Sequence, residues 1–159
     1  MDRRFSKSIY QEAFEWDGSL RDLYALSTSV NDWHDFLRFV KSARYPFSFH
    51  IDSAPAPLPE DAAAALAIGS HAKALLQIDL GGVMLNCHFF HAADIELDID
   101  PREVVDDAKA EAELSFMTEL GNALKKEVRL TPENSPESII FRFDPVAGRM
   151  HYLPAPDRT

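Results

Sequence analysis

The sequence predicts an α+β fold, a mainly antiparallel sheet packed by two main helices at about residues 30–43 and 102–126. Strand-like runs come in groups joined by hairpin-length connections, and only two long stretches carry apolar residues at helical spacing. A doubly wound parallel sheet would instead alternate strand and helix along the chain.

Ile9 to Trp16 and Leu20 to Ser27 are rich in aromatic and aliphatic residues, and Asp17-Gly18 between them supplies turn chemistry, so an opening β-hairpin is expected. Asn31 is placed to cap a helix whose Trp33, Phe36, Leu37 and Val40 share one face, ending near Ala43. Tyr45 to Ile51 reads as a strand. Pro55, Pro57 and Pro59 then forbid regular structure, giving a surface loop at about 53–60 within one globular domain spanning 1–159. Glu60 to Ile68 reads as a short Ala-rich helix.

Ala74 to Leu80 and Val83 to Phe90 flank Gly81-Gly82, a two-residue hairpin signal, and Asp94 to Asp100 alternates strictly, so the three form an antiparallel meander. Pro101 suits a first helical turn behind Asp100, and Arg102 to Lys126 carries an expected apolar stripe of Val105, Ala108, Ala112, Phe116, Leu120 and Leu124. Gly121 within that helix reads as a point of close packing. Val128 to Leu130, Ile139 to Phe143 and Met150 to Leu153 complete the strands, the last two joined through Asp144 to Gly148.

At 159 residues the chain is long enough for one core, and such a length buries roughly 68–70% of its unfolded surface. The single cysteine, Cys87, excludes an intramolecular disulfide and a zinc ribbon and fits a reducing compartment. Arg3, Arg4 and Lys7 are followed by no apolar stretch, so no export signal is expected. The longest apolar run, Ala62 to Ile68, falls far short of the roughly 20 residues of a membrane span. A cytoplasmic protein without membrane contact is expected.

The formal net charge of −10, from 16 basic and 26 acidic residues, opposes nucleic-acid binding. The acidity is concentrated between Asp94 and Glu113. On a strand, Asp94, Glu96, Asp98 and Asp100 fall on one face and Ile95, Leu97 and Ile99 on the other. Neighbouring carboxylates on that face stand about 6.5–7 Å apart, too far for two to chelate one ion unaided.

The plainest reading is a solvent-facing edge or outer strand whose charges discourage aggregation. A docking surface for a basic protein partner is the sharper one, with Asp94, Glu96, Asp98, Asp100, Glu103, Asp106 and Asp107 as its binding residues. Carboxylate catalysis needs carboxyls in separated environments, which the pattern does not supply.

His88, His91 and Asp94 lie close enough in sequence for a metal-assisted enzyme to be considered, yet Cys87 and His88 fall on opposite strand faces, and Val83, Leu85, Cys87 and Phe89 form an apolar set. Cys87 thus reads as a small buried hydrophobe. Gly81-Gly82 lacks the context of a phosphate loop, no cofactor motif occurs, and no catalytic residue is assigned. A small acidic secretion chaperone is a further alternative; the oligomeric state is not legible.

The runs Trp16-Asp17-Gly18-Ser19-Leu20-Arg21-Asp22, Phe89-Phe90 through Asp94 to Glu103, and Leu130-Thr131-Pro132-Glu133-Asn134 resemble small bacterial α+β proteins of unassigned activity, some of them similar to immunity proteins of toxin systems. That resemblance spans most of the chain and implies protein binding, and its motifs carry no catalytic residue to transfer.

Overall fold

The computed structural model describes residues 5–154. Nine strands form one antiparallel sheet, confirming the α+β class: β1 (Arg21–Leu26), β2 (Phe47–Ile51), β3 (Ala54–Ala56), β4 (Ala74–Asp79), β5 (Met84–His88), β6 (Asp94–Ile99), β7 (Val128–Pro132), β8 (Phe141–Asp144) and β9 (Arg149–Tyr152). Their order across the sheet is β3-β2-β4-β5-β6-β1-β7-β8-β9. Four helices accompany them: α1 (Lys7–Ala13), α2 (Val30–Ser42), α3 (Ala62–Gly69) and α4 (Asp107–Leu124).

The opening hairpin is not formed. Ile9, Tyr10, Ala13 and Phe14 follow helical spacing, and Ser6 caps α1 by accepting the Ile9 N–H, so the first expected strand is a helix that buries Tyr10, Ala13 and Phe14. Only its second strand exists, as β1. Buried Arg21 joins the two: Nε donates to the Ala13 carbonyl at 3.0 Å and a terminal nitrogen donates to the Glu15 carbonyl. The last carbonyls of a helix lack intrahelical partners, and this guanidinium supplies a donor to the final one, of Ala13, and a second to the chain just beyond the helix.

In α2 the expected face is buried, Trp33, Phe36, Leu37 and Val40, but the cap is Ser29 and not Asn31. Ser29 Oγ accepts from the Asp32 N–H while the Asp32 carboxylate accepts from the Ser29 N–H, a reciprocal capping box. The proline-rich stretch begins as a strand, β3, paired to β2 through a tight turn with positive φ at Asp52 and Ser53. Pro55 on this outermost strand cannot donate to a further strand.

The Gly81-Gly82 hairpin and the β4-β5-β6 meander are formed as expected, with Leu76 opposite Cys87 and Cys87 opposite Leu97. The long helix starts later than its sequence suggests. One 3₁₀ turn spans Pro101–Glu103, then Asp106 caps α4 by accepting the Lys109 N–H. Val105 therefore precedes the helix and is exposed, as is Ala108, whereas Phe116, Leu120 and Leu124 of the expected stripe are buried beside Ala110, Leu114 and Met117. Gly121 does permit close packing, since a Cβ there would stand 2.5 Å from the Phe143 ring.

Alternation along the strands sends Leu23, Ala25, Leu76, Ile78, Leu85, Cys87, Ile95, Leu97 and Ile99 to one sheet face, where they share a core with the buried residues of all four helices. The helices thus occupy one side. Among the described residues no helix packs on the other side. No helix among them is long and apolar enough to cross a membrane.

Candidate functional site

The helix-free face is built from the residues that alternate with the core. Register aligns His50, Leu75, His88, Glu96, Tyr24, Arg129, Arg142 and His151 in one row across eight strands. A second row runs Ser48, Gln77, Asn86, Asp98, Asp22 and Thr131.

The acidic strand β6 lies at the centre of the sheet, with β5 on one side and β1 on the other, and is neither an edge nor an outer strand. Its charges therefore have no role in blocking edge-to-edge pairing. Asp94, Glu96 and Asp98 all project to the helix-free face, partly covered by their neighbours. Asp22 on β1, directly opposite Asp98 and only 2% exposed, adds a fourth carboxylate that the sequence did not mark.

A hydrogen-bond chain holds the centre of this face. Gln77 Nε2 donates to Asn86 Oδ1 at 3.0 Å, and Asn86 Nδ2 donates to Asp98 Oδ1 at 3.2 Å. Asp98 Oδ2 lies 2.7 Å from His88 Nε2. The His88 ring stacks parallel on the exposed Phe90 ring, with centroids 5.1 Å apart. Across the strand boundary, Asp22 Oδ2 accepts from the Tyr24 hydroxyl at 3.1 Å and from the Asn134 N–H at 2.7 Å. The segment after β7 thereby folds back over β1.

The carboxyls sit in different environments. Burial, and then repulsion by Asp22 and Asp94, raises Glu96 above the usual carboxyl range. Burial also raises Asp22, which Asp98 and Glu133 push the same way against the lowering effect of Asn134 and Tyr24. Each charge raises the cost of its neighbour's ionisation, so a cation placed among them would relieve both effects. Tyr24 is driven upward as well, by burial and then by the Asp22 and Glu96 charges.

The other four expected binding residues stand elsewhere and hold the chain. Asp100 caps the 3₁₀ turn and grips the Arg102 guanidinium with both oxygens, which keeps its carboxyl below the ordinary value. Glu103 accepts the Met84 N–H at 2.9 Å, Asp106 caps α4, and Asp107 pairs with Lys7 of α1 at 3.3 Å. Asp106 and Asp107 thus belong to the helical layer, and the seven acids do not share one face.

His88, His91 and Asp94 are not gathered around one point. His88 is engaged by Asp98, while His91 Nδ1 stands 3.7 Å from Asp94. Among the described residues no three His, Cys, Asp or Glu side chains are placed to hold a metal ion. Cys87 is buried in the core and its thiol is pushed well up by desolvation, which removes thiolate reactivity. Among the described residues the large exposed apolar side chains Trp16, Val30, Phe47, Phe90, Val105 and Val146 lie on separate segments of the chain.

No protein-family model, no curated protein and no solved structure matches the chain.

Proposed function

We propose that the protein is a non-enzymatic binding module that receives a basic protein segment on the helix-free face of its sheet. The observation that carries this reading is the set of carboxylates at Asp94, Glu96, Asp98 and Asp22 on two adjacent central strands, with Glu96 raised by burial and then by Asp22 and Asp94, and Asp22 raised by burial and by Asp98. A lysine or arginine side chain brought onto β6 would meet several carboxylates at once and lower their repulsion. The exposed Phe90 ring beside His88 offers the same cation a face to stack on.

The site is narrower than the acidic strand-helix unit of the sequence. Arg129 and Arg142 follow Tyr24 in the same row, so the acidic strip is bounded by cations on the β7-β8 side. That boundary gives a partner a register as well as a charge. A bacterial setting and an immunity-like role against a basic toxin extend this proposal and rest on the three sequence runs that resemble such proteins; a cytoplasmic setting rests on the single cysteine and the N-terminal composition.

Titration of isotope-labelled protein with a decalysine peptide at low salt tests the reading. Saturable shifts should centre on the amides of β6 and the neighbouring part of β1, weaken steeply between 50 and about 200 mM salt, and decline in Glu96→Gln and Asp98→Asn. Shifts centred instead on Asp106 and Asp107, or unaffected by the β6 variants, would remove the face from consideration.

A further inference from the structure

At one end of the helix-free face, two to three strands from β6 and so about 10–14 Å away, lies a depression of about 200 Å³ lined by His50, Ser53, Lys73, Leu75 and Gln77. Its character is opposite to that of the centre. No carboxylate lines it, and the described residues give neither the Lys73 ammonium nor the Ser53 hydroxyl a partner.

The His50 ring has an unusual position. Nδ1 is shut off from solvent and from every hydrogen-bond partner in the described structure, which leaves Nε2 as the ring atom able to hydrogen-bond. Orphaned N–H groups are rarer in buried settings than orphaned acceptors, so the neutral ring is assigned its proton on Nε2. His50 then contributes a donor, as do Lys73 and Ser53.

The frame around these donors is fixed. Asp52 Oδ1 accepts the Lys73 N–H at 2.9 Å and the Asp52 N–H donates to the Lys73 carbonyl at 2.9 Å, locking the β2-β3 turn to the start of β4. Positive φ at Asp52 and Ser53 makes this turn tight, and it sets Ser53 beside the depression. Gln77 is oriented by donating to Asn86, so its amide nitrogen is engaged.

We propose that this depression is a binding site for a small oxyanion, held by the Lys73 ammonium, His50 Nε2–H and the Ser53 hydroxyl over the Leu75 side chain. Its size is below the roughly 300–1,000 Å³ of sites for drug-sized ligands and suits a group such as a carboxylate or a phosphate. In a chain of net charge −10 an anion is repelled from most of the surface, so unpaired donors converging from β2, its turn and β4 mark the place where one is tolerated.

Inorganic phosphate and acetate, titrated separately into labelled protein at constant ionic strength, test the site and distinguish the two anion chemistries. Saturable shifts confined to Ser53, Lys73 and the His50 ring are expected for at least one of them. Lys73→Met and His50→Gln should each weaken that binding at least tenfold, while Glu96→Gln leaves it unchanged. Shifts that fail to saturate, that spread over unrelated lysines, or that persist in Lys73→Met overturn the assignment. A decalysine result of either kind has no bearing on these outcomes, so this site and the acidic strip stand or fall separately.

Discussion

Asp22 and Asp98 face each other directly across the β1-β6 boundary, two carboxylates at paired positions in the middle of the sheet. Like charges directly opposite cost a strand pair about 0.2–1 kcal/mol. The surroundings divide the problem: His88 and Asn86 engage Asp98, whereas the Tyr24 hydroxyl and the Asn134 N–H engage Asp22. Asp22 nonetheless stays raised, because burial outweighs those two hydrogen bonds.

Replacing Asp22 by Asn or Ala separates the charge from the acceptor. Asp22→Asn keeps an oxygen for Tyr24 and Asn134 and removes the repulsion, so the variant should be more stable than wild type at pH 7 in urea unfolding. The raised carboxyl loses stability as pH climbs above its unfolded value of about 4, so the advantage should fade toward pH 3. Asp22→Ala orphans a buried hydroxyl and a backbone N–H and should cost about 1–3 kcal/mol. An Asn variant as damaged as the Ala variant would mean that the charge itself is needed.

The two candidate caps of α2 give a second test. Ser29 holds a full capping box, so Ser29→Ala should cost about 1 kcal/mol. Asn31 lies inside the first turn and is exposed, and Asn31→Ala should change stability by only a few tenths. Equal effects at both positions would contradict the observed helix start.

What could be read in advance follows from what each signal encodes. Gly81-Gly82 and strict alternation are local, and the β4-β5-β6 meander was legible from them. Alternation names the face of a strand but not its neighbours, because the ladder hydrogen bonds come from backbone common to every residue; hence β6 read as an outer strand although it lies between β5 and β1. The seven-residue α1 has too few turns to stand out from its aromatic content, and the residue that secures its end, Arg21, is distant in sequence from a cap position. Asp22 joins the acidic strip only through pairing with Asp98, a contact without any local pattern.

Gly69, the last residue of α3, lies against β5's extension. A Cβ there would stand 2.0 Å from the Phe89 carbonyl oxygen, a backbone atom that cannot swing aside. Phe89 is fully buried against Trp33 and Phe49, so the displacement would spread into the core. Gly69→Ala should therefore destabilise by several kcal/mol despite the better helix propensity of Ala, beyond the 1–3 kcal/mol typical of overpacking. Thermal unfolding measures this, and a neutral or stabilised variant would show that α3 is not held so closely.

Glu113 gives the largest expected pH effect. It is fully buried on α4, neither carboxyl oxygen has a hydrogen-bond partner among the described residues, and desolvation pushes its pKa up to about 8. Folded protein therefore keeps the acid protonated at pH 7, while the unfolded chain releases the proton near pH 4.5. Because the unfolded state binds fewer protons throughout that window, stability falls as pH rises from about 4.5 to about 8, by on the order of 5 kcal/mol from this residue alone. Above pH 8 both states are ionised and the loss levels off. Glu113→Met, which fills similar space without a charge, should be more stable than wild type by a margin that grows across the same window and is then constant. Denaturant unfolding of both proteins at one-unit pH steps measures the margin, and a margin independent of pH would mean that Glu113 is ionised inside the fold.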